Sequence, residues 1–424
     1  MAIGRNFKKG RFFDNNGEEL ILDVDGDTSI TADTDDQIDI KIAGADDFKF
    51  TANNMNVLSG STLTIDSGAT ITNSGTATGF GGATRPNTQP LLINGDMGIS
   101  QRATSTSSAS TDNYHATDRW RTNIDNYGAY TISQSTTVPS GQGFAKSFKI
   151  DCTTADGSPA AGDLFTFEQR CEGQNFQVFK KGTSNAEKFT LAFWIRSNLT
   201  GNFTVNLVDS DNSRRVGALV TISDADTWEK KIINFPADTT GALDNDANDS
   251  FRVQFFFGAG SNFTSGTLPS TWESATTANF AAGQTAFIGS STSNELYITG
   301  LQLEVGEYTS ATIPSLLFET FEENLFRCQR YYIQNNSKMP PTALSATTAW
   351  THMMDFNPRM RAAPSVAHVA TGGFSTVGGS ANTTGVAVSN LSDFGGRIAL
   401  NLDASLTVNQ WCQCALAANL SAEL

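Results

Sequence analysis

The stretch that decides the fold of the first part of this chain is residues 30–71, ITADTDDQIDIKIAGADDFKFTANNMNVLSGSTLTIDSGATI. Its apolar residues recur at every second position in short clusters, which is the period of a β-strand. A strand with two or three apolar residues buries too little surface to offset the backbone entropy lost on ordering it. Other copies of the chain, or other turns of the same chain, must therefore cover these strands, and the stretch predicts a repetitive, intertwined β-stalk. The clusters are Ile38/Ile40/Ile42, Phe48/Phe50, Met55/Val57, Leu63/Ile65 and Ala69/Ile71.

The composition of the 424 residues favours an all-β protein with two or three domains. Small and turn-forming residues dominate outside the apolar positions, and 39% hydrophobic residues with 29 Phe suffice for real cores. The formal charge of -15, with 28 dispersed basic residues, argues against nucleic acid as a partner. No segment reaches the roughly 18 apolar residues of a membrane span, and the N-terminus lacks the apolar centre of a signal peptide. We therefore expect neither membrane insertion nor a cleaved signal.

The first 22 residues combine basic and aromatic side chains ahead of a strongly acidic run. Between Glu18 and Asp47, eleven acidic residues stand against one basic residue. One interpretation is a loosely ordered terminus. The other is a virion anchor, in which Phe side chains are buried in a larger assembly and Arg and Lys lie at the rim. The candidate anchoring residues are Arg5, Phe7, Lys8, Lys9, Arg11, Phe12 and Phe13.

Two acidic segments are candidates for metal binding. The first, residues 23–27, superficially matches a calcium loop, but Thr28 and Thr34 occupy the sixth and twelfth positions, where an EF-hand needs Gly and Glu. The second segment comprises Asp244, Asp246, Asn248 and Asp249. It is either a plain acidic turn, which we favour, or a calcium site, and calcium is the one candidate cofactor. The five cysteines, at positions 152, 171, 328, 412 and 414, contain no CxxC pair, so we expect buried thiols.

Between residues 127 and 305 the strands become longer and alternate cleanly. Phe189, Leu191, Phe193 and Ile195 fall on one face of a strand, and the residues between them fall on the other. Turn-rich segments separate such strands, which predicts an antiparallel jelly-roll sandwich of about eight to ten strands. The other strands are expected at 144–150, 164–168, 203–208, 216–222, 228–235, 251–257, 286–288 and 295–304; ahead of them, 91–97 reads as a strand running into a turn and 103–111 as a loop.

One connecting helix is expected after the sandwich, at about residues 315–332. Apolar residues recur there at three- and four-residue spacing, while Arg327 and Arg330 near its end complement the helix dipole. The remaining residues predict a C-terminal β-sandwich-like domain that ends in a docked, apolar terminus at residues 418–424. Its strands are expected at 350–356, 365–369, 384–388, 396–402 and 411–417.

Three segments together resemble bacteriophage tail fibre and receptor-binding proteins. They are Pro90–Met97 followed by Tyr114–Trp120, then Gly300–Gly306, then Glu322–Tyr332. In addition, residues 190–235, with Phe-Trp-Ile-Arg and Thr-Trp-Glu-Lys-Lys, are similar to the jelly-roll carbohydrate-binding modules often found in such fibres. The resemblance covers residues 90–424 and implies a homotrimeric fibre. It also implies attachment by the N-terminus to a phage tail or adaptor protein, binding of a bacterial surface glycan, and a location in the virion tail after synthesis in the host cytoplasm.

A glycan site should combine exposed aromatic rings with polar side chains, because sugars present an apolar ring face and hydroxyl groups. The first candidate is the long polar loop 258–283, with residues Phe263, Trp272 and Glu273. Aromatic residues that fold back onto the protein are an equal alternative there. The second candidate is the segment before Trp120, with residues Tyr114, Asp118 and Arg119, for which packing at the start of the sandwich is the favoured interpretation.

The sequence favours a binding protein over an enzyme. A glycosidase needs two carboxyl groups across the scissile bond, one with a raised pKa, and 43 acidic residues offer too many chance pairs. Three His and no G-x-S-x-G motif give an esterase little support. A tailspike-type glycan depolymerase and a purely structural fibre or collar component stay open as alternatives. The predicted order is a virion anchor (1–22), a β-stalk with linker (23–89), a jelly-roll receptor-binding domain (90–312) and a connecting helix with C-terminal β-domain (313–424).

Overall fold

The computed structural model describes residues 19–32, 34, 36–64, 66 and 89–424, except for 336–341, 346–347, 351–353, 369–373, 377–378, 382, 403–411 and 414–417. The chain forms two compact units, residues 1–80 and 81–424. The candidate anchoring residues between Arg5 and Phe13 lie outside the described residues, so the virion anchor stays a prediction.

The first unit contains a five-stranded antiparallel sheet in which each strand pairs with the next one along the chain. The apolar clusters become neighbouring strands, so that Ile38 lies opposite Phe50, and Phe50 lies opposite Met55. These strands thus have hydrogen-bonding partners within one chain, while the side chains of Ile38 and Met55 are about half exposed. Leu63 lies outside the strands, and the cluster at 69–71 lies outside the described residues. The strands are β1 (Leu20–Ile21), β2 (Ser29–Thr31), β3 (Gln37–Ile42), β4 (Ala45–Thr51) and β5 (Asn54–Val57).

Two six-stranded antiparallel sheets pack face to face in the second unit and confirm the predicted all-β jelly-roll class. Their strands are β6 (Ser105–Ala109), β7 (Arg121–Asp125), β8 (Ala129–Ser135), β9 (Ser147–Thr154), β10 (Leu164–Glu172), β11 (Phe189–Ser197), β12 (Gly201–Asp209), β13 (Arg214–Ile222), β14 (Glu229–Phe235), β15 (Asp249–Ala259), β16 (Glu273–Ser274) and β17 (Glu295–Val305). The strand order is β14-β11-β17-β9-β8-β6 in the first sheet and β16-β13-β12-β15-β10-β7 in the second. The sandwich therefore has more strands than the eight to ten expected.

The core lies between these two sheets. Phe189 and Phe193 of β11 face Phe251 and Phe255 of β15, with ring centroids 5.9 and 5.0 Å apart. All four side chains are fully buried, which confirms the alternation predicted for β11. Each large apolar side chain buried in this way contributes roughly 1.5–3 kcal/mol. Buried free thiols are also found as predicted, at Cys152, Cys171 and Cys328.

Three local predictions for the sandwich are wrong. Residues 91–97 form a turn without a strand, because the Asn94 side chain bonds to the backbone of Ile99 and Asp118 and folds the segment back on itself. The segment expected to be a loop at 103–111 contains β6, which pairs with β8. In place of the strand expected at 286–288, a 3-10 turn covers Ile288–Ser290.

The connecting helix is shorter than predicted and is α2, Phe321–Gln329. It begins where Thr320 and Glu323 form a capping box: the Thr320 hydroxyl accepts a hydrogen bond from Glu323 N at 3.3 Å, and the Glu323 carboxylate accepts one from Thr320 N at 3.0 Å. Arg327 lies in its last turn, where a cation complements the dipole. The other helix, α1, is Ser261–Thr264. In the described part of the chain, no helix is both long enough and apolar enough to cross a membrane.

In the described residues beyond α2, short strands form three small antiparallel sheets. The C-terminus docks as predicted, because Leu420 and Ala422 are buried and Leu424 packs against a cluster that includes Cys328 and Tyr331. The strands are β18 (Tyr332–Asn335), β19 (Thr342–Ser345), β20 (Thr348–Trp350), β21 (Met354–Asp355), β22 (Ser365–His368), β23 (Phe374–Thr376), β24 (Gly379–Ala381), β25 (Thr383–Ser389), β26 (Gly395–Leu402), β27 (Cys412–Gln413) and β28 (Ala418–Ser421).

Candidate functional site

The outer face of the second sheet, turned away from the core, carries six charged or amide side chains on the strands β7, β10, β15 and β13, with β12 between the last two. The strand register places Glu168 of β10 between Arg121 of β7 and Gln254 of β15. Two residues further along β10, Arg170 lies opposite Arg252. Because side chains alternate along a strand, these residues point away from the Phe and Val side chains that fill the core. We call this set the arginine face; it comprises Arg121, Glu168, Arg170, Arg215, Arg252 and Gln254.

Glu168 is the centre of the arginine face. Its side chain is 1% exposed, and its carboxylate accepts hydrogen bonds from Arg121 at 2.7 Å, Arg170 at 2.8 Å and Gln254 at 2.6 Å. Burial raises the pKa of Glu168, but the charges of Arg170, Arg252 and Arg121 outweigh burial and hold this pKa below its ordinary value. Glu168 is therefore ionised at neutral pH and orients two guanidinium groups and one amide.

Arg215 lies on the side of the arginine face nearest β16. Its Nη1 donates a hydrogen bond to Gln254 Oε1 at 2.8 Å, and its guanidinium carbon lies 3.6 Å from the centroid of the Phe280 ring. Burial and the neighbouring charge of Arg252 lower the pKa of Arg215, and Glu168 only partly offsets them. Within the residues that the structure describes, no carboxylate oxygen lies within ion-pair distance of this guanidinium group.

Loop 260–284 packs along one side of the arginine face. The carbonyl oxygen of Phe280 accepts hydrogen bonds from Thr204 at 3.2 Å and Asn206 at 2.9 Å, both on β12. The rings of Phe263 and Phe280 stack with centroids 6.5 Å apart, and both side chains are only partly buried. The loop thus brings partly exposed aromatic rings beside fixed charged and amide groups.

The first predicted site is divided between this loop and the core. Phe263 lies on α1 in the aromatic cluster, and Glu273 lies on the edge strand β16, where its carboxylate accepts a hydrogen bond from a loop amide at 2.7 Å. Trp272 is 8% exposed, its ring packs against core Phe rings, and its Nε1 donates to the carbonyl of Pro236 at 2.9 Å. Trp272 follows the folded-back alternative, because the core covers its ring and a backbone carbonyl accepts the hydrogen bond of its N–H. A ligand contact by Phe263 or Glu273 stays a prediction.

The second predicted site is an internal network. Tyr114, Asp118 and Arg119 are 8%, 1% and 1% exposed. Arg119 pairs with the Glu423 carboxylate near the C-terminus, and its guanidinium carbon lies 3.5 Å from the centroid of the Tyr331 ring. Burial raises the pKa of Asp118. Arg119 and Tyr114 are bound to Glu423 and Leu424, so these side chains hold the C-terminal tail against the sandwich.

The candidate calcium ligands do not form a common site. Asp249 begins β15, and its carboxylate pairs with Arg252. Asp246 instead accepts a hydrogen bond from Asn248 N at 2.8 Å. Since Arg252 pairs with Asp249, the four residues fit the favoured interpretation of an acidic turn, which here precedes a strand, better than a calcium site. Among the described residues, the one group of three or more acidic side chains close enough to share an ion comprises the exposed Asp23 and Asp25 and the partly buried Asp27.

Sequence reasoning missed the arginine face, although part of its signal is present. Arg252 and Gln254 stand two residues apart on the strand predicted at 251–257, so they share a strand face. Glu168 ends the strand predicted at 164–168, and Arg170 lies two residues beyond that end. The pairing of the two strands joins Glu168 to Gln254 across 86 positions of the chain. That register is set by packing of the whole sandwich and has no local signal.

Comparison with known proteins assigns no family. No protein-family model matches this chain, and no curated protein matches it. Among solved structures, the chain is similar to the enzymatically active domain of bacteriophage CBA120 tailspike protein 4, with a TM-score of 0.27 and 11% identity over 51% of this chain but 21% of that one. It is also similar to the CBM22-1 xylan-binding domain from Paenibacillus barcinonensis Xyn10C, with a TM-score of 0.24 and 10% identity over 50% of this chain and 99% of that one. The family 11 carbohydrate-binding module from Clostridium thermocellum has a TM-score of 0.24 and 9% identity, over 48% of this chain and 96% of that module. At these TM-scores, the functions of those proteins are not carried over.

Proposed function

We propose that this chain is a tail fibre protein of a tailed bacteriophage that recognises its host by binding a bacterial surface glycan through the arginine face. The observation that carries glycan binding is the combination of guanidinium, carboxylate and amide groups with the partly exposed rings of Phe263 and Phe280. Saccharides use both kinds of group, since their hydroxyls need fixed donors and acceptors and their apolar ring faces pack on aromatic rings.

The polar side chains of the arginine face are held in place by one another. The Gln254 Oε1 accepts a hydrogen bond from Arg215, while its Nε2 donates to Glu168, so both ends of the amide are fixed. Arg170 bonds to the same carboxylate. Because few of these side chains must be immobilised when a ligand binds, little conformational entropy is lost on the protein side. This preorganisation supports binding of a flexible polysaccharide segment.

The proposal is binding without cleavage. A glycosidase uses a carboxyl group with a raised pKa as general acid. On the arginine face, Glu168 has a lowered pKa and is enclosed by two arginines and an amide, so it is poorly suited to donate a proton. A depolymerase would need its catalytic carboxyl groups elsewhere on the chain.

The fibre role adds three proposals that rest on the sequence. They are anchoring by the N-terminus on a phage tail or adaptor protein, assembly as a homotrimer, and location in the virion tail. The half-exposed Ile38, Ile42 and Met55 of the first unit support assembly, because covering them with further copies would remove apolar surface from water. Native mass spectrometry should give three times the chain mass of 45.3 kDa, and a monomer at micromolar concentration would contradict the trimer.

An array of bacterial capsular polysaccharides and lipopolysaccharides tests glycan binding by the full-length protein. We expect binding to at least one polymer and a loss of about tenfold or more in Arg252→Gln, which removes a charged hydrogen-bond donor. Arg196→Gln is the matched control, since Arg196 lies on the outer face of the first sheet with similar side-chain exposure, 21% against 25%.

Two results would contradict this proposal. If no polymer on the array binds the folded protein, a purely structural fibre component is favoured. If Arg252→Gln binds as tightly as the wild type, the site lies away from the arginine face.

Cleavage is tested separately on each polymer that binds. After prolonged incubation with the protein, we expect unchanged polymer size by size-exclusion chromatography and no new reducing ends. Shorter chains with new reducing ends would identify a depolymerase.

A further inference from the structure

We infer that the arginine face selects an anionic saccharide, one that carries a carboxylate or phosphate group, over a neutral saccharide. This inference rests on the proposed function of the same face and names the class of ligand. Its basis is a local excess of positive charge in a chain whose net charge is -15.

Four guanidinium groups on the arginine face share three carboxylates. Arg215 is the one left without an ion pair among the described residues. The next carboxylate on its side, Glu273, is bonded instead to Asn279. One positive charge is therefore uncompensated, and its sign is opposite to that of the whole protein. The pairings are Arg121 with Asp112 and Glu168, Arg170 with Glu168 and Asp249, and Arg252 with Asp249.

The Arg215 cation is poorly solvated as well as unpaired. Arg215 is 9% exposed, and burial together with the Arg252 charge lowers the pKa of its guanidinium group. A cation that has lost hydration without gaining a counter-ion is destabilised. An oxyanion on a bound ligand would restore the pairing, and the gain is larger here than at a hydrated surface arginine because the local dielectric constant is lower.

Arg215 is also held in one orientation. Nη1 is bonded to Gln254, and the guanidinium group lies against the Phe280 ring. Its other N–H groups have no hydrogen-bond acceptor within the described residues. A fixed guanidinium group presents parallel N–H groups that match the two oxygens of a carboxylate or phosphate. Arg252 adds a second unused donor on the same face, since its Nε is buried without a partner in the described chain.

The inference is tested with wild-type, full-length protein on every polysaccharide that it binds. Each polymer is compared with its own chemically neutralised form, made by carbodiimide and borohydride reduction of carboxyl groups or by dephosphorylation. We expect the native polymer to bind about tenfold or more tightly, the scale of one or two charge-assisted hydrogen bonds. The difference should shrink as salt rises from about 50 mM to about 500 mM.

Small competitors separate the two kinds of acidic group. Methyl glucuronide supplies a carboxylate, glucose 6-phosphate supplies a phosphate, and methyl glucoside supplies neither. We expect at least one of the charged sugars to displace the polymer at a concentration tenfold or more below that of methyl glucoside.

Variants test whether Arg215 is responsible for the preference for the anionic polymer. Arg215→Gln should reduce binding of the native polymer to the level of the neutralised polymer, whereas Arg215→Lys should keep part of the difference because it keeps the charge. Arg196→Gln, on the other sheet, should keep the full difference in binding between the native and the neutralised polymer. Thermal melts establish that each variant is folded. If Arg215→Gln does not fold, the binding of native and neutralised polymer by the wild-type protein still tests anionic selectivity.

The possible outcomes distinguish this inference from the proposed function. Equal binding of native and neutralised polymers overturns anionic selectivity and leaves glycan binding in place. No binding to any polymer overturns the proposed function and the inference with it.

Discussion

Replacing Glu168 by Gln tests whether one buried carboxylate holds the arginine face together. The substitution keeps the shape of the side chain and removes the charge that accepts hydrogen bonds from Arg121, Arg170 and Gln254. Since the side chain is 1% exposed, water cannot replace these interactions. Breaking a buried ion pair by removing one partner costs about 3–5 kcal/mol. In the variant, Arg121 and Arg170 keep only their weaker second partners, Asp112 and Asp249.

The corresponding change in melting temperature follows from the size of the unit, residues 81–424. At about 2.1 cal/mol/K per residue, its unfolding entropy is roughly 0.7 kcal/mol/K, so the midpoint should fall by about 4–7 °C. Differential scanning calorimetry at pH 7 measures this shift. The control is Glu307→Gln, which removes an exposed ion pair with Lys188 and should change stability by less than about 0.5 kcal/mol.

The effect of Glu168→Gln should also depend on pH. Arginine charges hold the pKa of Glu168 below its ordinary value of 4.5, against the opposing effect of burial. A depressed folded-state pKa means that the stabilisation is complete above about pH 4.5 and is lost as the pH falls through the folded-state pKa. The gap in melting temperature between wild type and variant should therefore be largest near pH 7 and narrow below pH 4.5. A gap under about 1 °C at pH 7, or one that widens in acid, would refute this reasoning.

Three further predictions concern the sandwich. Phe189→Ala should lower the free energy of unfolding, measured with denaturant, by about 3–5 kcal/mol, because it leaves a cavity in the core. Leu219→Ala, at a position that is 43% exposed, should lower it by less than about 1 kcal/mol. Similar losses for the two variants would place the core elsewhere. Gly258→Ala should destabilise by about 1–3 kcal/mol, since its Cβ would overlap the Tyr127 ring. Gly157→Ala should be near neutral in the same measurement, because its Cβ would meet only the Ser290 carbonyl oxygen, at 4.0 Å. A neutral Gly258→Ala would contradict the packing. Burial raises the pKa of the Cys152, Cys171 and Cys328 thiols. At pH 8 these thiols should therefore resist alkylation in the native protein and react in denaturant, which peptide mass spectrometry measures. Rapid alkylation of the native protein would show that the thiols are accessible.

The class of the fold was predictable because strand alternation is a local property. Phe189 to Ile195 alternate in the sequence, and the same residues alternate between core and outer face in the structure. At 91–97 the turn was expected but the strand before it was wrong, since the apolar residues match a strand and the Asn94 hydrogen bonds that fold the segment reach residues 5 and 24 positions away. The start of α2 was misplaced by six residues because apolar spacing outweighed the Thr320 capping signal.

The candidate site was predictable only in part, because it is assembled across strands. Loop 258–283, which the sequence singled out, lies beside the arginine face, but the sequence does not show that Trp272 turns inward to the core. The charged pairs on β10 and β15 are visible in the sequence as alternate positions. Their meeting at Glu168 depends on long-range register, and the unpaired state of Arg215 depends on side-chain directions, neither of which has a local signal.

A crystal structure of the full-length protein with an oligosaccharide of a polymer that it binds tests the central claim most directly. We predict that a sugar residue lies on the outer face of the second sheet, within hydrogen-bond distance of Arg252 or Gln254, with an acidic group at Arg215. A sugar bound on the outer face of the first sheet, or among the strands that follow α2, would contradict the account.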